Sequence, residues 1–212
     1  MSAPPVEVSV VVPAYNRARE LERLLASLEA LVQPPGGMEV IIVDDASPDD
    51  TAATVERWLA TPPPFPARLV RHARNGGPGR ARNSGIEAAH GRLVAFTDTD
   101  CTVDPRWLEW LVPRIEPEKR IAGVGGRTLP MHRPPFAARY YIWNRSQDPP
   151  ESLQWLITCN ACFLREALVA VGGFPDDIAN PGGEDIGLSI LLWKHRWRFA
   201  YDAAGRLTKA EY

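Results

Sequence analysis

The sequence predicts an α/β fold in which helices flank a mostly parallel central sheet. Two observations carry that reading. Short apolar, β-branched runs alternate with helical stripes four times in roughly the first 115 residues. Polar residues gather where those runs end, as ligand-binding loops of an open parallel sheet do.

Residues 8–12 form an apolar run ending at Pro13, as expected of a strand buried on both faces. Leu21, Leu24, Leu25, Leu28, Leu31 and Val32 recur at three- and four-residue steps, one stripe of a helix that begins after Asn16 and stops at Pro34-Pro35-Gly36-Gly37. Residues 40–43 give the second strand. Ser47-Pro48-Asp49-Asp50 offers a cap and a proline at the first helical position, opening a helix through Val55, Trp58 and Leu59. After the break at residues 62–66, residues 68–72 read as a third strand. Asn75-Gly76-Gly77-Pro78-Gly79 reads as a loop before a helix from about Arg80 to Ala89. The fourth strand runs into Asp98, and Asp104-Pro105 caps a helix carrying Trp107, Leu108, Leu111 and Val112.

The remainder is less regular. Residues 121–124 read as a strand, and the prolines at 130, 134–135 and 149–150 as long connections. A turn at Gly172-Gly173-Phe174-Pro175, a loop over 180–185, an apolar helix through Leu188, Leu191, Leu192 and Trp193, and a last strand over 198–202 complete the reading.

With 212 residues, 45% hydrophobic and 24% charged, the chain can bury a sizeable core, and we expect one domain over 1–212. A net charge of −2 argues against a nucleic-acid partner, although arginines gather at 68, 71, 74, 80 and 82. No run approaches the roughly 18 apolar residues of a spanning helix and no leader pattern opens the chain, so a cytoplasmic location is expected, with room for peripheral association at the inner membrane face. Cys101, Cys159 and Cys162 are odd in number, and Cys159/Cys162 have no second pair or histidine partner; buried small residues are expected there. His72, His90, His132 and His195 show no ligand spacing.

Strand one ends in Pro13-Ala14-Tyr15-Asn16, strand two in Asp44-Asp45, and strand four in Asp98-Thr99-Asp100; strand three is followed by the glycine loop. All four ends should line one crevice. On an extended backbone residues i and i+2 share a side, so Asp98 and Asp100 can converge on one hard divalent cation. Taken singly, each of these is also what a turn, a cap or a solvated loop looks like. Their joint order is far more specific.

Those segments, with Thr51, Arg82-Asn83, Gly172-Gly173-Phe174 and Gly183-Glu184-Asp185, make the chain resemble family 2 glycosyltransferases of the GT-A type. Such enzymes are inverting and use nucleotide-sugar donors. The resemblance implies a nucleotide-sugar-binding half to about residue 115 and an acceptor-binding half from about 116 to 212. It implies that Pro13, Ala14, Tyr15 and Asn16 bracket the nucleobase, that Asp45 accepts the uracil N3 proton of a UDP donor, and that Asp98 holds the ribose. Asp100 with Asp98 would ligate Mn²⁺ or Mg²⁺, and Arg82 would add charge on the nucleotide side. Asp185 would be the general base toward an acceptor hydroxyl, with Glu184 holding the acceptor, a glycan, lipid-linked or small molecule. The chain departs from the pattern at Lys209, which stands where the family often carries a metal-binding histidine; a charged lysine cannot ligate a cation but can meet a diphosphate. A non-catalytic nucleotide-sugar-binding module and a sugar-nucleotide pyrophosphorylase are the alternatives. Pro13 to Asn16 lacks the basic glycine-rich loop the latter needs, and Gly77-Pro78-Gly79 matches neither a dinucleotide fingerprint nor a P-loop.

Overall fold

A computed structural model describes residues 6–131, 155–175 and 183–209. His132, the prolines at 134–135 and 149–150, and residues 180–182 of the expected loop lie outside them. Four parallel strands lie in the order β3 (Ala67–Arg71), β2 (Met38–Asp44), β1 (Val8–Ala14), β4 (Leu93–Thr97). The sheet continues through β7 (Asn160–Leu164), antiparallel to β4, then β6 (Ile121–Pro130), β8 (Arg198–Lys209) and β5 (Cys101–Val103), eight strands in all among the described residues.

The first strands are buried on both faces because helices cover both: Val10, Val11, Val12, Ile41, Ile42 and Val43 are fully excluded from water. Helix α1 (Ala18–Glu29) turns Leu21, Leu24, Leu25 and Leu28 inward, as its periodicity predicts, whereas Val32 lies beyond its end and is exposed. Helix α2 (Thr51–Ala60) starts later than the Ser47 signal suggests. Asp49, not Ser47, accepts the Thr51 N–H at 3.0 Å, and the Ser47 hydroxyl accepts the Asn16 N–H at 3.0 Å, tying the ends of β1 and β2 together.

Helix α3 (Gly77–Ala88) begins inside the stretch expected to be a loop, with Pro78 in its first turn, where a missing N–H costs nothing. It packs on β1 at Gly85, where a Cβ would meet Val11 Cγ1 at 2.2 Å. The short helices α4 (Trp107–Leu111) and α5 (Arg165–Ala170) and the longer α6 (Glu184–Lys194) complete the helical set. Trp107, Phe96, Phe163 and Phe174 are the largest fully buried side chains, with Phe96 meeting Phe174 edge-on at 5.4 Å.

Strand β5 was not legible in the sequence. Only residues 98–100 separate it from β4, yet β7, β6 and β8 lie between the two in the sheet. The four Cα–Cα steps from Thr97 to Cys101 span at most about 14 Å, less than the roughly 19 Å of four strand spacings in a flat sheet, so the sheet must curl until β5 returns beside the end of β4. Asp98-Thr99-Asp100 is the stitch that closes this curl. Cys101 and Cys162 are buried and unbridged, as is Cys159.

Candidate active site

At the carboxyl ends of the parallel strands a cleft of about 520 Å³ is lined by Pro13, Ala14 and Tyr15 from β1, Asp45 after β2, Gly77 and Arg82 of α3, and Asp98 and Asp100 after β4. Arg17, Glu184 and Lys209 complete its charged lining. The structure therefore gathers most of the residues singled out in the sequence. Two stand apart. Asn16 turns the chain with a left-handed φ of 54° behind Tyr15, and Asp185 sits one residue past Glu184, outside that lining.

Asp45 is buried and fixed. Its carboxylate lies 2.6 Å from His72 Nδ1 and accepts the N–H groups of Gly76 at 3.0 Å and Gly77 at 2.7 Å. His72 Nε2 lies 2.8 Å from the Ser84 hydroxyl, so the ring spans β3's end and α3. The Gly76 N–H also reaches the second carboxylate oxygen at 3.1 Å, so each oxygen meets two partners and the carboxylate is locked in place at the cleft wall. Tyr15 is 47% exposed, its ring available at the rim.

Arg82 is buried and connects the two halves of the chain. One guanidinium nitrogen donates to Asp98 Oδ1 at 2.9 Å, and another donates to Glu184 Oε1 at 3.0 Å and lies 4.0 Å from Asp185. Burial alone would lower its pKa, but the Asp98, Asp185 and Glu184 carboxylates raise it instead. The neighbouring Asn83 clamps the Gly172-Gly173-Phe174 turn: its amide donates to the Phe174 carbonyl at 2.9 Å and its oxygen accepts the Phe174 N–H at 2.8 Å. Gly173, with φ of 76°, has no room for a Cβ, which would fall 2.3 Å from that oxygen.

Asp185 is held by Thr158, whose N–H and hydroxyl reach it at 3.2 and 2.5 Å. Burial pushes its carboxyl above the usual aspartate range, Arg82 and Thr158 opposing, with Glu184 adding to the rise. Asp98 shows the reverse balance. Burial would raise it, but Lys209 and Arg82 hold it down at about 2. Asp100 is raised, by burial first and by Asp98, against Lys209. Lys209 comes from the last residue of β8, opposite Cys101, and its ammonium lies 2.7 Å from Asp98 Oδ2 and 2.9 Å from Asp100 Oδ1.

His72 and Thr158 were missed as site residues. His72 directly follows a strand whose end faces the crevice, a usable signal, whereas nothing local marks Thr158, which reaches Asp185 only through the tertiary fold.

The sequence profile described as "Glycosyl transferase family 2" matches residues 9–171. The chain belongs to that family. Among curated relatives of this family 2 chain, glycosyltransferase AglE of Haloferax volcanii is 34% identical over 210 residues, covering 93% of this chain and 66% of its own length. Succinoglycan biosynthesis protein ExoO of Rhizobium meliloti is 44% identical over 110 residues, covering 52% of this chain and 30% of its own. The chain thus spans from under a third to about two thirds of these two relatives. Its GT-A fold is shared with the mannosyltransferase PcManGT from Pyrobaculum calidifontis in complex with GDP-Man and Mn²⁺, at a TM-score of 0.77 and 28% identity over 96% of this chain and 56% of that one. S. aureus TarS in complex with UDP-GlcNAc superposes with a TM-score of 0.74 over 98% of this chain and 59% of that one, at 20% identity, a likeness of fold alone.

A divalent cation on Asp98 and Asp100 is thus implied by the fold family, and its fit can be tested on the residues. Among those described, no group of three or more histidine, cysteine or acidic side chains could hold a metal. The Lys209 ammonium lies within hydrogen-bond distance of both carboxylates. A dication bound between them would lie against that charge, so this donor set does not fit one.

Proposed function

We propose that this family 2 chain transfers a sugar from a nucleotide-diphosphate donor, a UDP-sugar first among them, to an acceptor hydroxyl with inversion. The observation that carries the proposal is the cleft itself. It sets Asp45, Asp98 and Asp100 at the ends of the parallel strands against Glu184 from the other half of the chain, with Arg82 spanning the two.

In this reading the nucleobase lies along Pro13 to Asn16, with Tyr15 stacked on it and an Asp45 carboxylate oxygen, shared with the Gly76 N–H, accepting the uracil N3–H. Asp98 holds the ribose. Asp185 takes the proton of the acceptor hydroxyl as its oxygen attacks the anomeric carbon; the bond from that carbon to the diphosphate breaks on the opposite face, and the nucleoside diphosphate leaves. One displacement inverts the anomeric centre. Thr158 orients Asp185, and burial supports its role by making it a stronger base than an exposed aspartate. Glu184, pinned by Arg82, faces the cleft to hold an acceptor hydroxyl. No described helix is long and apolar enough to cross a membrane; the acceptor we expect is a glycan, a lipid-linked sugar or a small molecule.

The test is transfer from UDP- and GDP-sugars, the product anomer read by NMR. Asp185→Asn should retain donor affinity and lose transfer by at least about a hundredfold. Wild-type turnover in that variant removes Asp185 from the base role, and absence of turnover with every donor and acceptor, nucleotide binding intact, turns the reading toward a binding module.

A further inference from the structure

We propose that Lys209 supplies, as a fixed ammonium, the positive charge that the donor's diphosphate needs, so that this site binds its nucleotide without a divalent cation. The inference rests on the nucleotide-sugar reading above and deepens it.

The geometry is that of a cation site filled by the protein itself. Lys209 Nζ contacts one oxygen of Asp98 and one of Asp100, at 2.7 and 2.9 Å, normal lengths for charge-assisted N–H···O bonds. Its side chain is 20% exposed, and Lys209 lines the same cleft as Arg17, Asp98 and Asp100. An ammonium has three donors. Two meet the carboxylates, and among the described residues the third is left for a diphosphate oxygen at the cleft.

The position is built, not incidental. Lys209 pairs with Cys101, the residue after Asp100, in the β5–β8 ladder, and Thr208 and Leu207 continue the register opposite Thr102 and Val103. The Met131 N–H donates to the Lys209 carbonyl at 2.8 Å on the other side. Its backbone is therefore held from both β5 and the end of β6. Asp98 is also committed to Arg82, which Glu184 shares. A dication would have to displace Lys209 from both carboxylates, leaving a charged lysine 20% exposed with its partners taken.

The experiment is calorimetric titration of UDP and GDP into the purified chain, once with EDTA and once with excess Mn²⁺, repeated with Lys209→Met and Lys209→Arg, with circular dichroism to confirm folding. The wild-type chain should bind nucleoside diphosphate in EDTA, with affinity changed less than about threefold by Mn²⁺. Lys209→Met should weaken binding in EDTA by about tenfold or more, and Lys209→Arg should retain most of it. Wild-type binding that requires Mn²⁺ overturns the inference and leaves the glycosyltransferase reading standing. So does unchanged affinity in folded Lys209→Met. Failure of the wild type to bind either nucleotide in both buffers overturns the inference together with the reading beneath it.

Discussion

Arg82 is the side chain on which the most depends, because it is buried and neutralises carboxylates from two halves of the chain. Arg82→Met keeps the volume and removes the charge, leaving Glu184 buried and Asp98 with Lys209 alone. We expect a loss of about 3 kcal/mol in urea unfolding, the low end for a broken buried pair because Asp98 is 24% exposed. Asp98 itself ties stability to pH. Held at about 2 in the fold against roughly 3.9 when unfolded, it contributes in full above pH ~4 and loses that contribution as pH falls toward 2. Asp98→Asn should flatten that part of an acid titration of stability. Asp100 and Asp185, both raised, take up their protons in the fold first and so resist acid unfolding. With Asp185 as the proposed base, the same shift should place the acid limb of kcat/KM above the ordinary aspartate range, a rate rising with pH as the carboxyl deprotonates, read from a pH–rate profile. At this scale the acidic residues were legible as isolated motifs. Two of their partners were not: His72 and Thr158 acquire meaning only from contacts 12 and 27 positions away, and Arg82, though singled out, gave no sign of its bond to Glu184, 102 positions on.

Strand and helix period carried most of the elements. The fully buried runs of β1 and β2 and the leucine stripe of α1 leave little choice of structure, and their helices and strands fall where the pattern puts them. Ends were less legible: the first turn of α3 contains Gly77-Pro78-Gly79, which by composition reads as a loop, because a helix start tolerates residues that its interior rejects. Helix α3 also shows why glycine sits inside a regular element. Gly85→Ala would push a methyl to within 2.2 Å of Val11 at the centre of the parallel sheet. The backbone would have to move, and we expect a loss of about 1 to 3 kcal/mol in thermal or urea unfolding, despite alanine's better helix propensity. An unchanged or raised Tm would mean that α3 can slide on β1.

For the whole molecule, the α/β class and the crevice were legible, since alternation of elements dictates a parallel sheet and a parallel sheet dictates where its ligand lies. The antiparallel extension was not. Strand β5 has three residues, too few to show a period, and β8 pairs parallel with β6 across a register shift at Gly126/Arg127. Its length of 12 residues, against the five expected, comes from pairing with two neighbours that lie far off in the sequence. The stitch at residues 98–100 also sets an order in time. On a ribosome the chain emerges from its amino end, and the first four strands can pair while the rest is still being made. Such a nascent chain would already carry Asp45 and Asp98. It would lack any partner for β5, and with it the fixed place of Asp100, until β8 had emerged and closed the curl. On the reading proposed above, the donor cleft is therefore not completed by degrees as the polypeptide lengthens; it closes as a single late event, timed by the appearance of β8.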